Sequence, residues 1–306
     1  MQLLVAGTTV RLEGTSPAEL ADLRAALAEG LAADGPAQLV LRSERGSVPH
    51  PGRRPDRVVQ HVRYWDQGDD QIVATGPGQR ARVSRARALL DPGDGGVRAV
   101  HQLLLPVLTL LFASQDACLI HGAAFLAGPD AVLVLGGSGQ GKSTLVTAAL
   151  SLGRGVLSDD LLVLRLHGDG VQVSGVPQPL ALPADQAYHP AVGHRIDGDP
   201  RGRHAAAGQP PLTPGTHPVA AVVLVEHSQL PGGQLRPAEG RAVFGGLLAS
   251  TLEGLAPGTA RHAFPYAAAV SRANGWHLGH AADPAIRVQS AAGRLDQISR
   301  GQAPAG

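Results

Sequence analysis

Apolar and polar positions divide the 306-residue chain into a strand-rich beginning and a mixed remainder. Leu3–Leu12 alternates in the two-residue rhythm of a half-buried strand, residues 17–31 repeat with helical spacing, and residues 38–41 form another strand. Residues 43–57 carry Pro and Arg without periodicity and predict a mobile loop. Its Arg45, Arg53, Arg54 and Arg57 suit an acidic partner or a solvated face. Short strands follow at 58–64, 71–75 and 81–86, and Asp91-Pro92-Gly93-Asp94-Gly95-Gly96 marks a boundary.

Beyond it the pattern predicts a helix over 97–114 and strands over 118–127 and 131–136. A helix over 145–152 comes next, ended by Gly153 and Gly155, with short strands at 155–157, 161–166 and 171–173. Residues 198–218 read as loop and 219–225 as a buried strand. Helices are predicted over 237–252 and 260–273, with a last strand at 276–278. The segments give a β-rich domain over 1–95, suited to substrate or partner binding, a second domain over 96–300 and a disordered tail over 301–306.

Composition narrows the picture. A net charge of +1 provides no basic field for nucleic acid or for a membrane surface. The single cysteine, Cys118, excludes an intramolecular disulfide and suits a reducing, cytoplasmic setting as a small buried hydrophobe. No signal peptide is legible at Met1-Gln2-Leu3-Leu4. The longest apolar stretch, 103–113 with Pro106 inside, is short for a bilayer and reads as a core helix.

The candidate chemistry begins at Lys142, the only lysine among 26 basic residues. It lies in Gly136-Gly137-Ser138-Gly139-Gln140-Gly141-Lys142-Ser143-Thr144, a full G-x-x-x-x-G-K-[ST] loop between an apolar strand and an apolar helix. In such a loop successive backbone N–H groups and a helix N-terminus converge on phosphate, and a compact ammonium reaches further along the nucleotide than a planar guanidinium fits. Ser143 then offers its hydroxyl to Mg²⁺, while Thr144 belongs to the first helical turn. Asp159-Asp160 follows Lys142 closely, at the end of the next strand, where one carboxylate can hold metal and the other face a nucleophile. His121-Gly122 lies two strands before the loop. Arg201 and Arg203 could cover phosphates or a substrate carboxylate, or be solvated. Glu226 ends an apolar strand like the acidic residue of ordinary P-loop ATPases, and a supporting role suits it better because the Asp pair already supplies acid.

Taken together, Leu119-Ile120-His121-Gly122-Ala123-Ala124, the phosphate loop and Gly155-Val156-Leu157-Ser158-Asp159-Asp160 resemble the catalytic domain of the bacterial HPr kinase/phosphorylase family. The resemblance is strong over 97–170 and weak to 297. It implies an α/β fold, with a P-loop kinase domain of the HPr kinase and phosphoenolpyruvate carboxykinase-like type beside a smaller β-rich N-terminal domain. It further implies ATP and Mg²⁺ as cofactors and a serine or similar hydroxyl of a peptide or protein as acceptor. Lys142 and Gly136 to Gly141 would hold the triphosphate, Ser143 and Asp159 the metal, Asp160 would be the base and His121 would orient it; the two aspartates could exchange roles. Homo-oligomers occur among such kinases, although no segment here reads as an interface. The family's Arg-Gly signature after the Asp pair has no counterpart between Leu161 and Pro218, which argues against a reverse phosphorylase activity. That departure and the unusual first hundred residues are closer to stand-alone relatives in peptide natural-product pathways, lasso peptides included, which phosphorylate a precursor peptide. A small-molecule kinase, a plain ATPase and a non-catalytic nucleotide sensor are the alternatives.

Overall fold

In the computed structural model, residues 1–299 are described apart from 28–30, 33–35, 60, 178–180, 183–191, 196–203, 207–211, 227–233, 253–258 and 280–283. The chain is mixed α/β with two large sheets. It separates into two compact units: Met1–Leu119 with Thr251–Ala263, and Ile120–Ser250 with Phe264–Gly306.

The first unit holds a nine-stranded sheet in the order Leu31–Ala32, Gln2–Val5, Thr8–Gly14, Leu39–Ser43, Arg87–Asp91, Gln79–Ser84, Asp70–Gly76, Val62–Gln67, Arg57–Val59. The alternation predicted over 3–12 is real but folds into a hairpin, because Ala6 and Gly7 both take positive φ (48° and 72°), the conformation that a tight two-residue turn requires. The stretch 58–64 likewise breaks into two paired strands. Helix Pro17–Ala26 crosses between the parallel strands Thr8–Gly14 and Leu39–Ser43. Its start is fixed by a capping box: Ser16 accepts from Glu19 N at 3.2 Å and Glu19 accepts from Ser16 N at 3.0 Å.

Glu19 is buried, and its carboxylate also accepts from the Thr15 hydroxyl and from Arg45 N at 3.0 Å. The Thr15 bond, foremost, holds its pKa below the ordinary 4.5. A depressed carboxylate stabilises the fold fully above the unfolded-state value and loses that contribution as pH falls through the folded one. Glu19→Gln should therefore unfold more easily than wild type at neutral pH, and the gap should shrink progressively below about pH 4.5; urea titrations at several pH values measure it.

The segment predicted as mobile is anchored. Val48 packs with Trp65, Ile72 and Ala74, and the Trp65 indole N–H donates to Arg53 O at 3.0 Å. Arg53 pairs with Asp56 at 2.6 Å and Arg57 with Asp66, so two of its basic side chains find their acids within the same unit. Periodicity could not show this, because the fixing contacts lie across the sheet face rather than along the segment.

Helix Gly96–Ala113, within a residue of the predicted 97–114, has 18 residues and is long and apolar enough by composition to cross a membrane. Its apolar stripe, Ala99, Val100, Leu103, Leu104, Val107, Leu108, Leu111 and Phe112, is buried within the protein, as in a core helix. Cys118 is buried, which pushes its thiol up to about 12.

In the second unit six strands lie in the order Leu161–His167, Gly170–Gly175, His217–Glu226, Asp130–Leu135, Ala123–Ala127, Val156–Ser158, and Asn274–Gly279 pairs in parallel with His217–Glu226. Val132, Val134, Val223 and Val225 point to one face, where helices Lys142–Ser151 and Pro284–Ser299 cover them through Leu145, Val146, Val288, Leu295 and Ile298. Helix Gly240–Leu252 approaches the other face: a Cβ at Gly246 would stand 2.7 Å from Leu224 Cδ2. Strands covered on both faces read as continuous apolar runs, which is the pattern of Ala131 to Leu135.

Candidate active site

Three strands bring the singled-out residues to one sheet edge. Asp130–Leu135 and Val156–Ser158 both pair antiparallel with Ala123–Ala127, so they run parallel to each other and end on the same side. The register sets Ala123 opposite Val134 and Ala124 opposite Ser158. His121-Gly122, entering the central strand, therefore lies at the edge where the flanking strands release Gly136 and Asp159. Two strand spacings, about 10 Å, separate those two exits. Ligands in open α/β sheets characteristically occupy the crevice beyond the carboxyl ends of the strands.

The phosphate-loop motif begins where the chain leaves the sheet. Gly136 is required there, because a Cβ would stand 2.6 Å from Val225 O on the next strand. The turn ends at Gly141, whose φ of 106° disfavours a side chain, and helix Lys142–Ser151 starts with no side-chain cap on its first amides. Lys142 is buried, and its ammonium folds back across the loop to donate to Gly136 O at 2.7 Å and Gly137 O at 3.1 Å. Gln140 adds further contacts within the loop: its side-chain oxygen accepts from Gly137 N, and its own N donates to Gly137 O at 3.2 Å. A phosphate entering the loop would replace such contacts with its own oxygens. Thr144, predicted for the first helical turn, is buried, and Ser143 O accepts from the Thr147 hydroxyl at 2.9 Å.

At the second exit the two aspartates differ. Asp159 is buried at 7% exposure, whereas the Asp160 side chain is 44% exposed. Asp160 Oδ1 lies 2.8 Å from Nδ1 of His121, so the ring N–H donates to the carboxylate. Backbone bonds hold the pair in place: Gly122 N donates to Asp160 O at 2.9 Å. Ser158 is a residue that the sequence reading passed over. Its hydroxyl oxygen accepts from Asp160 N and Leu161 N, each at 3.2 Å, turning the chain through the aspartates. The signal was a serine two residues before the turn amides, a local pattern common to many loops. The strand predicted over 118–127 breaks at Gly122 into Ala117–His121 and Ala123–Ala127, and that break frees the Gly122 amide for Asp160.

Gly175 backs this turn closely: a Cβ there would stand 1.8 Å from Leu157 O. Gly175→Ala is expected to destabilise the protein by about 1–3 kcal/mol, since the contact is backbone and cannot swing aside; a lowered denaturant midpoint at unchanged slope would register it.

Arg201 and Arg203 lie outside the described residues, as does the Glu226 side chain; the Glu226 backbone ends its strand opposite Gly279. Among the described residues no three His, Cys, Asp or Glu side chains gather to hold a metal. Ser143 and Asp159 offer a hydroxyl and a carboxylate, the hard oxygen donors that Mg²⁺ takes when phosphates complete its shell.

No family model matches the chain, and no curated protein does. Among solved structures an Hpr(Ser) kinase/phosphatase from Coxiella burnetii aligns over 60% of this chain and 97% of that one, at 12% identity and a TM-score of 0.31. So slight a likeness leaves the functional argument to the geometry of the site itself.

Proposed function

We propose that the protein is an ATP-dependent kinase that transfers the γ-phosphoryl group to a serine or similar hydroxyl of a peptide or protein. The observation that carries this reading is the His121–Asp160 pair, held at 2.8 Å on the same sheet edge as the phosphate-loop motif. Nucleotide retention alone would need the loop and a metal-side acid. An accessible carboxylate oriented by a histidine suits a proton acceptor for an incoming hydroxyl.

In this mechanism the amides of Gly137 to Lys142 and the Lys142 ammonium bind the phosphates. Ser143 and Asp159 would hold Mg²⁺, which would supply charge neutralisation to the phosphates. The acceptor oxygen attacks the γ-phosphorus in line, the new O–P bond forms as the bond to the β-phosphate oxygen breaks, and ADP leaves with that electron pair. Asp160 takes the hydroxyl proton, and the Nδ1–H of His121 keeps its acceptor lone pair aimed. Positioning and electrostatics supply most of the acceleration.

Intact mass spectrometry of serine-containing peptides incubated with Mg-ATP and the protein tests the reading. One added phosphoryl group per acceptor is the expected result. ADP release with no modified acceptor would replace it by a hydrolase, and nucleotide binding with no turnover by a sensor.

A further inference from the structure

The first unit carries a groove on its sheet that the phosphotransfer reading does not use. Its volume is about 290 Å³, and four arginines and two glutamates line it: Arg11, Arg42, Arg82, Arg87, Glu13 and Glu44. All but Glu44 fall into two rows across four adjacent strands. One row runs Arg11, Val40, Arg87, Ser84, and the other Glu13, Arg42, Leu89, Arg82. Both glutamates are already paired, Glu13 with Arg11 at 3.0 Å and Glu44 with Arg42 at 2.9 Å. Arg82 and Arg87 have no carboxylate partner among the described residues, and the buried Nε of Arg82 has no hydrogen-bond acceptor. Val40 and Leu89 place apolar surface between the charges.

The remainder of the same face shows what fits on it. There the chain's own segment lies over the sheet, with Val48 buried against Trp65 and Ile72 and the His50 ring edge-on to Trp65 at 5.6 Å. The groove beside it spans three strand spacings, about 14 Å, the length of roughly four extended residues, and Leu89, partly buried, packs against the Val48 cluster at its margin.

We infer that this groove binds an extended acidic peptide segment, whose carboxylates pair with Arg82 and Arg87 and whose apolar side chains lie on Val40 and Leu89. Arg82 is half-buried and Arg87 exposed, and the planar fork of each guanidinium suits bidentate carboxylate recognition. The groove lacks the aromatic platforms that single-stranded nucleic acid uses. The inference stands apart from the kinase reading, because it concerns binding at another surface.

The test is fluorescence anisotropy of a short fluorescein-labelled peptide of alternating Glu and Val, titrated with the full chain at low salt. Saturable binding is expected, with none for the same peptide carrying Lys in place of Glu. The double variant Arg82→Gln, Arg87→Gln should weaken it about tenfold. Arg24→Gln, an exposed charge on the helix away from the groove, should leave it unchanged, and ATP affinity should be the same in all. No peptide binding, equal binding by the double variant, or saturable binding of inorganic phosphate or single-stranded RNA at this groove in the peptide's place would overturn the inference. None of these readouts depends on turnover, so failure of the kinase reading leaves the result intact.

Discussion

Lys142→Ala is expected to weaken ATP binding by about 10- to 100-fold and to abolish phosphotransfer. The ammonium is buried and makes two hydrogen bonds to the loop's own carbonyls, Gly136 O and Gly137 O. A charged donor so placed exchanges carbonyl oxygens for phosphate oxygens with little reorganisation. Charge-assisted hydrogen bonds are worth roughly 1.5–3 kcal/mol each, the origin of the expected loss in affinity. The expected loss in rate is larger, because in the proposed mechanism charge on the transferring group is redistributed in the transition state and the ammonium would stabilise it there. Lys142→Arg separates position from charge: a planar guanidinium cannot fold back through the same loop, so this variant should also lose transfer. Calorimetric titration with ATP, beside a thermal melt to establish folding, measures both. Wild-type affinity in folded Lys142→Ala would remove the loop from nucleotide binding.

Asp160→Asn is expected to leave ATP affinity within about threefold of wild type and to lower turnover by about 10²–10⁴-fold, the range of general base catalysis. Asparagine keeps the shape and one oxygen, so the Nδ1–H of His121 retains an acceptor and the turn at Ser158 retains both of its backbone bonds. What disappears is the capacity to take a proton. The companion change Asp159→Asn should act differently, raising the Mg²⁺ concentration needed for half-maximal rate, because the buried aspartate is assigned to the metal side. If Asp160→Asn turned over like wild type while Asp159→Asn lost its base, the two roles would be exchanged. Single-turnover assays over a range of Mg²⁺ concentrations distinguish these outcomes.

Elements governed by local rules were legible in the chain. The phosphate-loop motif is one: a G-x-x-x-x-G-K-S string between apolar strand and apolar helix predicted the turn and a helix after it, which begins at Lys142, three residues before the 145–152 span that apolar spacing predicts. The long core helix is another, its start marked by the glycine-rich boundary and its buried face by apolar spacing. Helix Pro284–Ser299 was equally readable, with Val288, Ala291, Leu295 and Ile298 at three- and four-residue intervals, yet was passed over beside the chain's tail. Strand limits were less secure. Positive φ at Ala6-Gly7 and the break at Gly122 each divide an apolar run that looks continuous, since apolar alternation records burial and not chain direction.

Residue type and spacing by themselves determined that a lone lysine stands in a phosphate-loop motif, that two aspartates and a histidine lie within reach of it along the chain, and that the first hundred residues are strand-rich. Only the tertiary structure decided that His121 meets Asp160, that Asp159 is the buried one, and that Arg11, Arg42, Arg82 and Arg87 fall in two rows on the first sheet. The physical reason is the same in each case. Spacing along the chain carries the period of a helix or strand, whereas pairing order and register are settled by which apolar faces bury one another, and a shift of one residue would exchange every neighbour.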